Sequence, residues 1–222
     1  IKDKYQKLFE KNPGLLYNIT LIISPLELLE RGVPIFRTEQ KPREYIITFP
    51  KAYHAGFSHG YNVSEAVNIA TPEWIPFAEN AVQVYSKEGF LRKTTFPFEW
   101  IIVENAIYRD DMDLTNEAKE HIVDQLIKIK NIEMKSRWNV LNNSHKITLK
   151  ELDCKKMRYD AYCCSQCRNY CYLSFLTCTR CEKKSCIIHS SCCSCLNPNV
   201  IMCIRYTEKQ LKEIINGTYK GA

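Results

Sequence analysis

Apolar residues recur in short groups along the whole chain, and their spacing changes character twice. The first helix signal is Ser24-Pro25-Leu26-Glu27. There serine can cap free amides, proline suits the first turn and Glu27 completes a capping box. Leu26, Leu28 and Leu29 follow, and Gly32 stops the helix. The pattern then turns to β-branched and aromatic residues. Residues 33–38 and 44–49 predict two strands separated by a polar turn around Lys41 and Pro42. Residues 53–68 add Gly56 and Gly60 among Phe57 and Tyr61, which fits a sandwich or barrel of small, tightly bent strands. Helical spacing returns at Thr71-Pro72-Glu73, which caps a helix running past Val84, and again at residues 96–107. Thr115 caps a third helix with an apolar face of Ile122, Leu126, Ile129 and Ile132. Thr207-Glu208-Lys209-Gln210 is a capping box for a last helix over Leu211, Ile214 and Ile215, stopped by Gly217.

Composition narrows this picture. The 222 residues allow one or two domains, and 45% hydrophobic with 25% charged residues is globular rather than disordered. All 12 cysteines lie between Cys154 and Cys203. A disulfide-scaffolded secreted protein would spread its staples along the chain, so that class is excluded. The most apolar early stretch, residues 15–23, is broken by Asn18 and Thr20 and is too short for a bilayer. N-x-S/T triplets at Asn18, Asn62, Asn142 and Asn216 are read as chance. The chain opens on Ile1 inside a polar, helix-like run, which predicts a fragment of a longer protein. Residues 1–150 hold 20 basic and 19 acidic side chains, whereas residues 151–222 hold 11 and 6. The net charge of +6 therefore belongs mainly to the cysteine-rich tail. Such a tail is either a solvated face or a weak contact for DNA.

The cysteines carry the strongest chemistry. Cys164 and Cys167 form C-x2-C, as do Cys178 and Cys181; Cys186 and His189 form C-x2-H, and Cys193 and Cys195 form C-x-C. Close pairs clamp a zinc ion from a single turn, and eight donors suffice for two tetrahedral ions. Joining pairs one and three, and pairs two and four, interleaves the sites and staples a segment short of apolar core. With all four positions taken by protein, each zinc is structural. Cys154, Cys163, Cys171, Cys192 and Cys203 are left over; Cys171 reads as core, and Cys163 and Cys192 adjoin chosen ligands.

His54 follows a strand and precedes the bend at Gly56. Non-haem iron oxygenases hold Fe(II) with two histidines and a carboxylate on a barrel of such strands. The surrounding words are more specific: Ser24-Pro25, then residues 32–40 (GVPIFRTEQ), 45–57 (YIITFPKAYHAGF) and 60–68 (GYNVSEAVN). With them, the chain resembles the JmjC jelly-roll oxygenases, in the branch of histone lysine demethylases acting on lysine 4 of histone H3. The cysteine segment resembles that branch's finger of five cysteines, a histidine and two cysteines. Its second pair here is C-x2-C where the branch commonly shows C-x-C.

The resemblance implies an α+β fold: a partial β jelly-roll (double-stranded β-helix), then a helical region and a two-zinc finger. It sets the C-terminal half of the JmjC jelly-roll at 1–85, a helical connector at 86–160, the finger at 161–204 and the start of a further helical region at 205–222. It implies His54 as an iron ligand and Asn68 on the pocket wall, with His59 structural. The zinc ligands it implies are Cys164, Cys167, Cys186 and His189 for one ion, and Cys178, Cys181, Cys193 and Cys195 for the other. The implied cofactors are Fe(II), 2-oxoglutarate and two structural zincs. The implied partners are the histone H3 tail and the nucleosome, in the nucleus and away from any membrane. The chain contains no H-x-D or H-x-E ligand pair, and His121 and Asp124 have the wrong spacing. Alone, therefore, it is expected to be inactive. Two readings stay open: part of a demethylase, or a catalytically inactive JmjC scaffold that recruits chromatin complexes.

Overall fold

The structure, a computed structural model, describes residues 1–17, 21–85, 93–143, 147–153, 157–189, 193–196 and 199–221. The chain is mixed α+β and divides into two units, 1–77 and 78–222. No helix among the described residues is long and apolar enough to cross a membrane.

The first unit holds two short helices, α1 (Gln6–Lys11) and α2 (Pro25–Glu30). Glu27 joins them: Tyr5 Oη donates to its carboxylate at 3.0 Å, and Lys4 Nζ lies 2.8 Å away. Pro25 occupies the first turn as expected, but the Ser24 hydroxyl makes no capping bond. Gly32, at φ 72°, ends the helix. Residues 33–38 and 44–49 are mostly exposed and join no ladder among the described residues. Here the strand expectation is corrected: a run of strand-forming residues becomes a strand only where another strand supplies donors and acceptors.

The second unit begins inside α3 (Ile75–Tyr85). Thr71-Pro72-Glu73 leads in through a single 3-10 turn over Pro72–Trp74. α4 (Phe98–Ile107) packs along α5 (Asn116–Asn142), and both touch α6 (Glu208–Asn216). Thr115 caps α5, its hydroxyl accepting from the Ala118 amide at 3.2 Å. Ile122 and Leu126 are buried as expected, but Ile132 is 59% exposed. Six residues beyond Leu126 the helix has turned roughly 240° past its starting face, whereas seven residues return it to Glu133. Glu133 and Arg137 accordingly face inward. α6 has the full capping box of Thr207 and Gln210, and Gly217 closes it in the left-handed region at φ 73°.

The sheet lies beyond α5, partly in a stretch expected to be helical. Its strands are β1 (Ile147–Glu151), β2 (Ser174–Cys178), β3 (Lys184–Ser185) and β4 (Val200–Ile204), in the order β1-β4-β2-β3. β1 runs parallel to β4, and the other pairs are antiparallel. Alternate side chains point to opposite faces. Leu176, Cys178, Met202 and Ile204 face one side, with Val140 of α5 and Ile187. Phe175 and Cys203 face the other, with Cys164, Cys167 and Cys171. This two-sided core positions both metal-ligating clusters.

Candidate metal centre

Cys164 and Cys178 open two knuckles of the same local design. In the first, the Gln166 amide donates to Cys164 Sγ at 3.4 Å and the Arg168 amide to the Cys164 carbonyl at 3.0 Å. In the second, the Arg180 amide donates to Cys178 Sγ at 3.4 Å and the Glu182 amide to the Cys178 carbonyl at 2.9 Å. Each turn closes on a non-glycine residue in the left-handed region, Arg168 at φ 65° and Glu182 at φ 56°. That conformation is costly for a side chain and persists where surroundings over-determine it. Here it aims backbone N–H groups at sulfur. The C-x2-C spacing at Cys178 and Cys181 is therefore the same turn as at Cys164 and Cys167.

Two donor clusters result, each with every ligand atom within 4.8 Å of the others. Cys164, Cys167, Cys186 and His189 form the first cluster; Cys178, Cys181, Cys193 and Cys195 form the second. The interleaving of alternate pairs follows from topology. β2 carries the chain across the sheet between Cys167 and Cys178, and β3 carries it back between Cys181 and Cys186. Cys167 Sγ lies 3.9 Å from Cys186 Sγ, and His189 Nδ1 lies 3.7 Å from Cys164 Sγ and 3.1 Å from Cys186 Sγ. A tetrahedron with ~2.3 Å zinc–sulfur arms has edges of roughly 3.8 Å, so the soft donor set and its spacing both fit zinc. The imidazole presents Nδ1.

The thiols are electrostatically uneven. Hydrogen bonds from Cys167 and Cys186 hold the Cys164 thiol far below its ordinary range, and Cys164 in turn pushes both of theirs up. In the second cluster the Cys181 and Arg180 amides lower Cys178 to about 7, while Cys181 and then Cys193 push Cys195 up to about 12. Neighbouring sulfurs cannot all ionise unless a cation is shared among them, and a zinc ion supplies that charge.

Of the leftover cysteines, Cys171 and Cys203 are buried in the core, and burial raises the Cys171 thiol. Cys163 bridges to Tyr170 in a short antiparallel contact. Cys192 lies outside the described residues. His54 is exposed, its Nδ1 3.2 Å from the Ala52 carbonyl, and Asn68 is exposed as well. His59 stacks edge-on against Phe57. Among the described residues no donor cluster includes His54, so this arrangement does not by itself fit an iron ion.

Sequence reasoning missed the polar seam that fastens the helices to the sheet. Arg137 donates to Glu133 at 2.7 Å, to the Tyr206 carbonyl at 2.8 Å and to the Leu173 carbonyl at 3.2 Å. Arg205 donates to the carbonyls of Tyr172, Met157 and Arg158 and lies over the Tyr172 ring. The only sequence signal was charge at the helical positions returning to the Leu126 face.

The second unit sets two four-donor Cys/His clusters on a small sheet packed by helices. Residues 1–69 match the family described as JmjC domain, hydroxylase, and residues 164–214 match the C5HC2 zinc finger family. In these two segments the chain is similar to JmjC domains and to C5HC2 zinc fingers. It is 30% identical over 213 residues to "Lysine-specific demethylase 5D" of Homo sapiens and of Pan troglodytes, covering 95% of this chain and 14% of theirs. It is also 30% identical over 236 residues to "Putative lysine-specific demethylase JMJ16" of Arabidopsis thaliana, covering 94% of this chain and 18% of that protein. The chain thus spans less than a fifth of the length of these relatives.

Proposed function

We propose that this chain is part of a 2-oxoglutarate-dependent histone lysine demethylase acting in the nucleus on methylated histone H3, at lysine 4. The observation that carries the reading is the joint occurrence, in one chain, of a JmjC match and a C5HC2 match, with 30% identity over 94–95% of the chain to proteins named lysine-specific demethylases. Residues 1–85 are the C-terminal half of the jelly-roll, 86–160 the connector, 161–204 the finger and 205–222 the start of a further helical region.

Cys164, Cys167, Cys186 and His189 hold one zinc; Cys178, Cys181, Cys193 and Cys195 hold the other. Both are structural, since four protein donors leave no open position. Their task is to lock β2, β3 and β4 into a sheet that receives α5 and α6. In the whole protein, Fe(II) and 2-oxoglutarate would supply the oxidising power for hydroxylating an N-methyl group. The part of this chain in that site is one imidazole, His54, and a pocket amide, Asn68. Because one imidazole is not an iron site, no iron-dependent step is assigned to these residues alone.

The histone tail and nucleosome are the partners this reading implies, and any DNA contact by the finger is weak. Residues 161–204 carry Arg168, Arg180, Lys183 and Lys184 against Glu182. Seven ligand thiolates with two zinc ions leave three negative charges, which these side chains balance. Loaded with zinc, the finger is close to neutral, so its basic residues are counter-charges for sulfur.

The test is demethylation by the whole gene product on methylated histone H3 peptides, read by mass spectrometry with iron and 2-oxoglutarate present. Stepwise methyl loss that disappears with His54→Ala supports the enzyme. An intact, zinc-loaded protein inactive on every methyl-lysine peptide would reject it and leave the scaffold reading.

A further inference from the structure

The two clusters are built alike but placed differently. In the first, Cys164 and Cys167 are buried and Cys186 and His189 half-buried, packed with Phe175, Cys171 and Cys203. In the second, Cys178 is buried at the end of β2, Cys193 and Cys195 are half-buried, and Cys181 is exposed. Cys181 sits at the tip of the β2–β3 hairpin, where residues 179–183 are all exposed, between Arg180 and Glu182, with Lys183 and Lys184 following to leave the tip net positive. Reactive cysteines occupy this kind of electropositive, accessible setting, and the thiolate is the nucleophile. Charge points the same way. A zinc ion with four thiolates carries two negative charges, whereas one with three thiolates and an imidazole carries one. The sulfurs of the more negative centre are the better nucleophiles.

We infer that the second site is a redox-labile zinc site with Cys181 as its point of attack, while the first site is an inert anchor. This rests on the zinc reading above and goes beyond it. With a peroxide as oxidant, Cys181 Sγ attacks one peroxide oxygen, the O–O bond breaks, and one water leaves with a proton. The resulting sulfenic acid is attacked by a second thiolate of the same cluster, and a second water leaves. The two sulfurs have given up two electrons, the peroxide has taken them, and a disulfide has formed. The remaining two thiolates take up protons to become thiols, and the second zinc dissociates. β2 and β4 keep their pairing, because the first site and the apolar core still hold them.

The 222-residue chain, purified with zinc, is exposed to hydrogen peroxide in the presence of a zinc-binding dye, and the cysteines are mapped by mass spectrometry. One zinc per chain should leave about tenfold or more faster than the other, with the first oxidation at Cys181. Dithiothreitol and zinc should restore the starting material. Cys181→His, which retains a ligand but no thiolate, should still bind two zincs and lose the fast phase. Release of both zincs in a single phase, or first oxidation at Cys164, Cys167 or Cys186, would overturn the inference while leaving the zinc reading intact. A chain purified without zinc would overturn both.

Discussion

Replacing Arg137 with leucine tests whether the helices and the finger are one mechanical unit. Both charged side chains of the Arg137–Glu133 pair are almost withdrawn from water, at 8% and 11% exposure. Arg137→Leu leaves the Glu133 carboxylate with one remaining donor, the Ser174 hydroxyl at 2.5 Å. It also removes one donor from each of the Leu173 and Tyr206 carbonyls, the former keeping the Arg205 amide at 2.8 Å. Removing one partner of a buried pair costs about 3–5 kcal/mol, much of it the stranded charge. For a unit of this size each kcal/mol moves the midpoint by about 3 °C, so Tm should fall by about 10–15 °C. The assay is thermal unfolding by circular dichroism at equal zinc content, with zinc measured before and after. The double variant Glu133→Leu/Arg137→Leu removes the stranded carboxylate and should recover roughly half the loss, because a buried ion pair is often replaceable by apolar groups. A single variant melting within about 3 °C of the parent, fully zinc-loaded, would refute the reasoning.

Three further outcomes follow from particular contacts. Burial raises the Glu99 carboxyl to about 7, so the folded chain holds that proton more tightly than the unfolded one. Stability from this group is present below the ordinary carboxylate range and is lost as pH rises through about 7. Glu99→Gln should therefore leave Tm unchanged near pH 4 and raise it at pH 8, by at most about 3 kcal/mol equivalent; an identical pH profile for both chains would sink this. Gly217 ends α6 at φ 73°, and a Cβ there would lie 2.5 Å from Arg109 Nη2, which donates to the Ile215 carbonyl. Gly217→Ala should cost about 1 kcal/mol in chemical denaturation. The zinc-loaded chain should shift DNA only weakly in electrophoresis and lose that shift as salt rises; tight binding at physiological salt would contradict the neutral finger.

Much of the metal centre could be read directly from residue order. C-x2-C, C-x2-H and C-x-C pairs are local, and a ligand pair two or three residues apart needs only one turn of backbone to face one ion. The helix ends were equally legible, because Thr115, Thr207 and Gly217 act on backbone groups within four residues of themselves. Which pairs share an ion could be posed from order, but β2 and β3 bring Cys164 to Cys186 and Cys178 to Cys193. Residues 33–38 and 44–49 had the right composition for strands and join no ladder among the described residues, since pairing depends on a partner rather than on propensity.

Residue order by itself therefore determined which side chains can bind metal and where helices begin and end, because those interactions are short in sequence. Tertiary structure alone decided that Glu133 and Arg137 belong inside, that β1 joins the finger's sheet, and that Cys181 lies in water while Cys164 does not. Burial is settled by what packs from far along the chain, and no local pattern carries that information.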